Sequence, residues 1–111
     1  MVRAVICVFV VLSIAVATGS AAQDTKAAGE KVFADEKCAL CHSIAGKGNV
    51  KGPLDEVGSK LSADEIRAWL TDAKSMTEKT GATRKPPMKS FTLPKADLDA
   101  LVAYLQTLKK K

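Results

Sequence analysis

Residues 38–42 read CALCH, two thiols and an imidazole in adjacent positions of a chain that holds three cysteines and one histidine. C-x-x-C-H is the attachment sequence for c-type haem. Thiols at that spacing on a helical turn reach the two vinyl groups on one edge of a porphyrin, and the histidine that follows lies under the iron as its proximal ligand. Covalent tethering through Cys38 and Cys41 fixes the ring without a large pocket, which a short chain is ill equipped to build.

Three other chemistries use such a pair. A thioredoxin-type dithiol wants a strand before its C-x-x-C and a βαβ context, and neither is visible in the sequence. A structural zinc site needs four ligands, commonly Cys and His at paired spacings, and the chain has no second such cluster. A disulfide between Cys38 and Cys41 would close too small a loop to add much stability, and it leaves His42 without a role.

If haem is bound, His42 is the single histidine, so two imidazoles from one chain are impossible. The remaining candidates for the second axial position are Met76, Met88, a lysine or an open site. Met88 sits in KPPMK, where two prolines stiffen the backbone and oppose helix, so a thioether can be presented at low entropic cost. Met76, at the end of a helix, reads more readily as core or surface filler. A His and Met pair raises the reduction potential relative to two imidazoles, and burial against Trp69, Leu70 and Leu101 adds to that effect. An iron with both axial positions filled has no place for substrate and serves to move one electron.

The elements that must hold these residues begin after a processing segment. MVRAVICVFVVLSIAVATGSAAQD has a basic start at Arg3, an apolar run from Ala4 to Ala17 broken by Ser13, and small residues through Ala22. This is the pattern of a secretory signal peptide over residues 1–22, with Ala17 as the second choice of cleavage point. The run falls short of the roughly 20 residues that span a bilayer, so a retained anchor is the lesser reading. Cys7 leaves with the leader, and residues 23–111 form one domain.

Within that domain Thr25 is placed to cap a first helix running to about Asp35, with Ala28, Gly29, Val32 and Phe33 on one stripe. Ser62 and Glu65 form an S-x-x-E capping box, opening a helix with Ile66, Trp69, Leu70 and Ala73 inward and an end near Ser75. Residues 76–92 read as a long loop. A last helix starts near Pro94, capped by Thr92 or Leu93, turns Leu98, Leu101, Val102, Leu105 and Leu108 inward, and ends on the lysines 109–111. No stretch alternates well enough for a strand. The expected fold class is all-α, with three or four helices.

The formal charge of +5 falls by one once Arg3 is removed. A mildly positive field suits acidic protein partners. Nucleic acid is a poor alternative, because acids and bases alternate and no Arg-rich run appears.

Taken together these features resemble a class I cytochrome c over nearly all of residues 25–109. The resemblance implies that the first and last helices cross, with Gly29 and Phe33 meeting Leu101 and Tyr104. It implies that KGPLDEVG is the segment whose proline carbonyl, here that of Pro53, accepts a hydrogen bond from the proximal imidazole. It also implies that Trp69 and Leu70 pack on the methionine side of the haem, and that His42 and Met88 are the iron ligands. Lys89 follows Met88 where many relatives place proline, and the loop after His42 is short.

The expected function is that of a monohaem electron carrier of the periplasm, monomeric, docking briefly with acidic redox proteins at its haem edge. Lys37, Lys47, Lys85 and Lys89 flank the haem-contacting segments and form a basic set able to steer them. The rival readings are a haem enzyme or gas sensor of peroxidase-like chemistry with a displaceable sixth ligand, and a haem subunit of a membrane respiratory complex whose uncleaved N-terminus is its anchor.

Overall fold

The computed structural model describes residues 21–111. Cys7, Ala17 and nearly all of the expected leader lie outside the described residues. The element order is α1 (Ala21–Asp35), a 3-10 turn (Cys38–Leu40), β1 (Ser43–Ile44), β2 (Lys47–Gly48), α2 (Val57–Lys60), α3 (Ala63–Thr71), α4 (Ala73–Thr80) and α5 (Lys95–Gln106).

Helices α1 and α5 pack against each other at the centre. Gly29 permits this, because a Cβ at that position would run into the Tyr104 Cβ and the Ala100 carbonyl. One turn on, the Phe33 ring meets Tyr104 edge to face, with centroids 6.4 Å apart and planes at 78°. Such a pair adds about 0.5–1.5 kcal/mol beyond its buried area. The residue opposite Gly29 is therefore Tyr104 with Ala100. Leu101, 1 % exposed, packs in the core beside Val32, Ile66, Leu70, Val102 and Leu105, a cluster that Phe33 also packs against.

The capping box forms as its spacing requires: Ser62 Oγ accepts from the Glu65 N–H and the Glu65 carboxylate accepts from the Ser62 N–H. The helix it opens does not reach Ser75. It stops at Thr71 because Asp72 leaves the helical region (φ −145°, ψ 57°) and turns its carboxylate to the Ser75 N–H, so that a second helix restarts at once. Aspartate competes for nearby backbone donors in this way, which is why it favours caps over helix interiors. Ala73 is consequently the first residue of α4 and is fully buried.

Other boundaries differ for similarly local reasons. Residues 76–80 are helical, and the loop begins at Gly81, whose positive φ of 70° terminates α4. Thr25 lies inside α1, which starts upstream of it. Pro94 itself caps α5, whose end at Gln106 leaves the terminal lysines beyond the last turn. There Lys109 Nζ donates to the Gly58 carbonyl and the Lys110 N–H to Ser59 Oγ. A strand pair is present after all, Ser43–Ile44 with Lys47–Gly48, turning through Ala45 and Gly46 at positive φ. Among the described residues five α-helices, one of them a single turn, replace the three or four expected, and the fold remains mostly helical.

Candidate haem site

The CALCH segment is held almost entirely by backbone. Lys37 takes a left-handed conformation (φ 57°) that turns the chain out of α1. The N–H groups of Cys41 and His42 then donate to the Cys38 carbonyl, at 3.1 and 2.9 Å. Both thiols and the imidazole thereby sit on one tight turn. Asn49 closes it from the other side: its N–H is shared between the carbonyls of Ala39 and His42, each at 3.0 Å, and its Nδ2 donates to the Leu40 carbonyl at 3.1 Å. Gly48 (φ 103°) has to be glycine here, since a Cβ would meet the His42 carbonyl.

The imidazole is oriented by Gly52 and not by Pro53. His42 Nδ1 lies 3.1 Å from the Gly52 carbonyl oxygen, which also accepts from the Ser43 N–H at 3.1 Å. An isolated parallel bridge between Ser43 and Pro53, completed by the Leu54 N–H donating to the Ser43 carbonyl at 2.8 Å, sets that register. It aims the carbonyl one residue earlier than expected at the ring. Pro53 does not line the cleft, whereas its neighbour Leu54 does. Because a carbonyl can only accept, Nδ1 carries the proton and the lone pair of the neutral ring is on Nε2. Burial holds the His42 pKa below its ordinary value, and the nearby Arg84 guanidinium works in the same direction against the Gly52 hydrogen bond. The ring therefore stays neutral, the state in which a metal can bind it.

Cys38 and Cys41 are not joined in a disulfide. Burial, helped by Glu36, pushes the Cys38 thiol up to about 11.

The facing residues come from α3 and the loop after α4. Trp69 and Leu70 of α3, Leu101 and Leu105 of α5, and Met88 of the loop line the same cleft as Cys38, Cys41 and His42. Met76 is buried at 8 % exposure and is not among the lining residues, so of the two methionines in the domain only Met88 faces the imidazole's cleft. The Met88 segment is tied down just downstream: the Phe91 N–H donates to the Leu70 carbonyl at 2.7 Å, and Ser90 Oγ accepts from the Ala73 N–H at 2.9 Å. Lys89 Nζ lies over the Phe91 ring, 5.1 Å from its centroid.

The cleft has a volume of about 610 Å³, within the range of about 300–1,000 Å³ usual for cofactor sites. Two thiols on one turn, a neutral imidazole with a bare Nε2, a thioether and walls of aliphatic and aromatic side chains are the donor set and setting that a covalently tethered haem needs. Among the described residues no group of three or more His, Cys, Asp or Glu side chains converges as a metal site of another kind.

Gly52, Leu54, Asn49, Arg84, Ser90 and Phe91 belong to this site or its supports and were not singled out from sequence. The G-P dipeptide marked the right turn but not the acceptor. For Ser90 and Asn49 the sequence carries no local signal, because their partners are set by tertiary approach.

Comparison with known proteins agrees with this geometry. The family model for cytochrome c matches residues 26–109. The chain is 28 % identical over 90 residues to "Cytochrome c oxidase subunit 2" of Alkalihalophilus pseudofirmus, an alignment that covers 73 % of this chain and 25 % of that protein. The chain thus spans about a quarter of the length of that relative. No solved structure matches it significantly. No helix among the described residues is long and apolar enough to cross a membrane. With the family matched over most of its length and Cys38, Cys41 and His42 gathered at one cleft as candidate attachment residues, the chain belongs to the cytochrome c family, whose chemistry is haem-based electron transfer.

Proposed function

We propose that this protein is an exported monohaem electron carrier whose iron is held between His42 and Met88 and which exchanges electrons with larger acidic redox proteins in brief encounters. One observation carries the reading: His42 with its bare Nε2 and Met88 line one apolar cleft.

The haem supplies reversible one-electron exchange between ferric and ferrous iron. Cys38 and Cys41 would hold it through thioether bonds. His42 offers Nε2 in an orientation fixed from behind by the Gly52 carbonyl, so little rearrangement accompanies a change of charge. Trp69, Leu70, Leu101 and Leu105 line the cleft with apolar surface, and the low dielectric they would give a bound haem disfavours the extra charge of the oxidised state. Met88 would fill the remaining axial position of a bound haem, leaving none for substrate.

The rim suits a transient partner. Leu40 lines the cleft and is 71 % exposed, and Lys37 and Lys89 line it too, with Lys47 and Lys85 exposed on the flanking segments. Small redox interfaces with such a rim bury less than about 1,200 Å² and weaken with salt. Rates with a partner are expected to fall as ionic strength rises, and indifference to salt would remove the steering role of these lysines.

The test of ligation is optical. The oxidised protein is expected to show a sulfur-to-iron charge-transfer band and to be unresponsive to carbon monoxide and peroxide when reduced or oxidised. A high-spin spectrum that changes readily with either reagent would instead favour an enzyme or sensor. A second reading, a haem subunit fixed in a membrane complex, is favoured by the likeness to an oxidase subunit. Fractionation decides it: the carrier appears in the periplasmic fraction, a subunit in membranes with its complex.

A further inference from the structure

The break between α3 and α4 leaves backbone groups without helical partners, and the Met88 loop uses them. The Leu70 carbonyl lies near the end of α3 and the Ala73 N–H at the first position of α4. The first N–H groups and last C=O groups of any helix need partners from outside it. Here they find them two and three residues beyond Met88: Ser90 Oγ accepts from the Ala73 N–H at 2.9 Å, and the Phe91 N–H donates to the Leu70 carbonyl at 2.7 Å. Ala73 is fully buried, so its N–H depends on that hydroxyl.

We propose that Ser90 is a positioning residue for the Met88 sulfur, its hydroxyl pinning the loop to the buried N–H at the start of α4 so that the thioether stays over the cleft. This rests on Met88 being the iron ligand. The loop between Gly81 and Met88 has exposed residues throughout, and a segment so little buried opens readily unless its ends are held. Holding it at Ser90 costs the sulfur little entropy when it binds. Releasing it leaves Ala73 with an unsatisfied buried donor whenever Met88 is in place, a penalty that disappears when the loop swings out. Loss of the hydroxyl therefore weakens the methionine-bound state relative to any competitor for the iron.

The test is imidazole titration of the oxidised, haem-loaded full chain, followed by loss of the sulfur-to-iron charge-transfer band as one imidazole nitrogen replaces one thioether. Ser90→Ala is expected to bind imidazole about tenfold more tightly than wild type, the scale of one orphaned buried donor. Ser90→Thr, which keeps the hydroxyl, is expected to stay within about twofold. Hydrogen exchange at the Ala73 amide is expected to quicken in Ser90→Ala alone. Equal imidazole affinity in wild type and Ser90→Ala overturns the proposal, as does a Ser90→Thr variant that behaves like alanine. Absence of the band from wild-type protein is a different failure, that of Met88 as ligand.

Discussion

The two walls of the cleft are built in different ways. The imidazole wall, residues 38–54, is a run of close-range backbone hydrogen bonds: the 3-10 turn, the short hairpin, the shared Asn49 N–H and the Ser43 to Pro53 bridge. The methionine wall is a loop whose anchors lie 17 or more positions away in sequence, at the α3–α4 junction. One wall is set by its own segment, while the other exists only once α3, α4 and the loop have come together. The contrast teaches that the position of His42 is set by local structure and that of Met88 by tertiary structure. Damage to the first should be all or none, and damage to the second graded.

The largest expected effect is on the imidazole wall. Replacing Cys38 and Cys41 together by serine should abolish haem attachment, leaving a protein without visible absorbance after denaturing purification; retained colour would contradict the tether. Next comes Gly52→Ala. Its Cβ would strike the Cys41 carbonyl and the Arg84 guanidinium, and overpacking of that kind costs about 1–3 kcal/mol. Urea unfolding should show a lower midpoint, and an unchanged one would mean that the carbonyl clamp on His42 is looser than described.

Met88→Ala tests the other wall and should be gentler on the fold. Helical circular dichroism is expected to persist while the sulfur-to-iron band vanishes and the potential falls by at least about 59 mV, a tenfold change in the one-electron constant. Unfolding of the whole domain in this variant would erase the contrast between the walls. The smallest effect is expected away from both, at Asp99. It accepts from Lys95 at 2.6 Å and from Arg67 at 2.7 Å, in that order the causes that hold its carboxyl below the usual range. A depressed carboxylate contributes stability above its unfolded pKa and loses it as pH falls through the folded one. Asp99→Asn should therefore differ slightly from wild type near neutrality and converge with it in acid, with the visible spectrum unchanged; thermal melts across pH check this.

What could be read from sequence follows the same division. The Ser62–Glu65 box and the turn through CALCH were legible because their partners lie within a few residues, and the loop that carries Met88 because two prolines mark it. The Asp72 break was not, since an aspartate between helix-compatible residues looks like a solvated helix face until its carboxylate is seen on the Ser75 N–H. Two-residue strands carry no periodicity to detect. The acceptor for His42 moved from Pro53 to Gly52 because a tertiary bridge, not the G-P dipeptide, sets its register. Gly29 and Tyr104 were expected at the helix crossing from a family resemblance, while Ala100 as the third partner came from the actual crossing geometry.

The central claim is that Cys38 and Cys41 carry one haem by thioether bonds. Intact mass of the full chain, made in a host that matures c-type cytochromes and measured under denaturing conditions, tests it most directly. The expected mass is that of the polypeptide plus one haem. A polypeptide mass alone would contradict it.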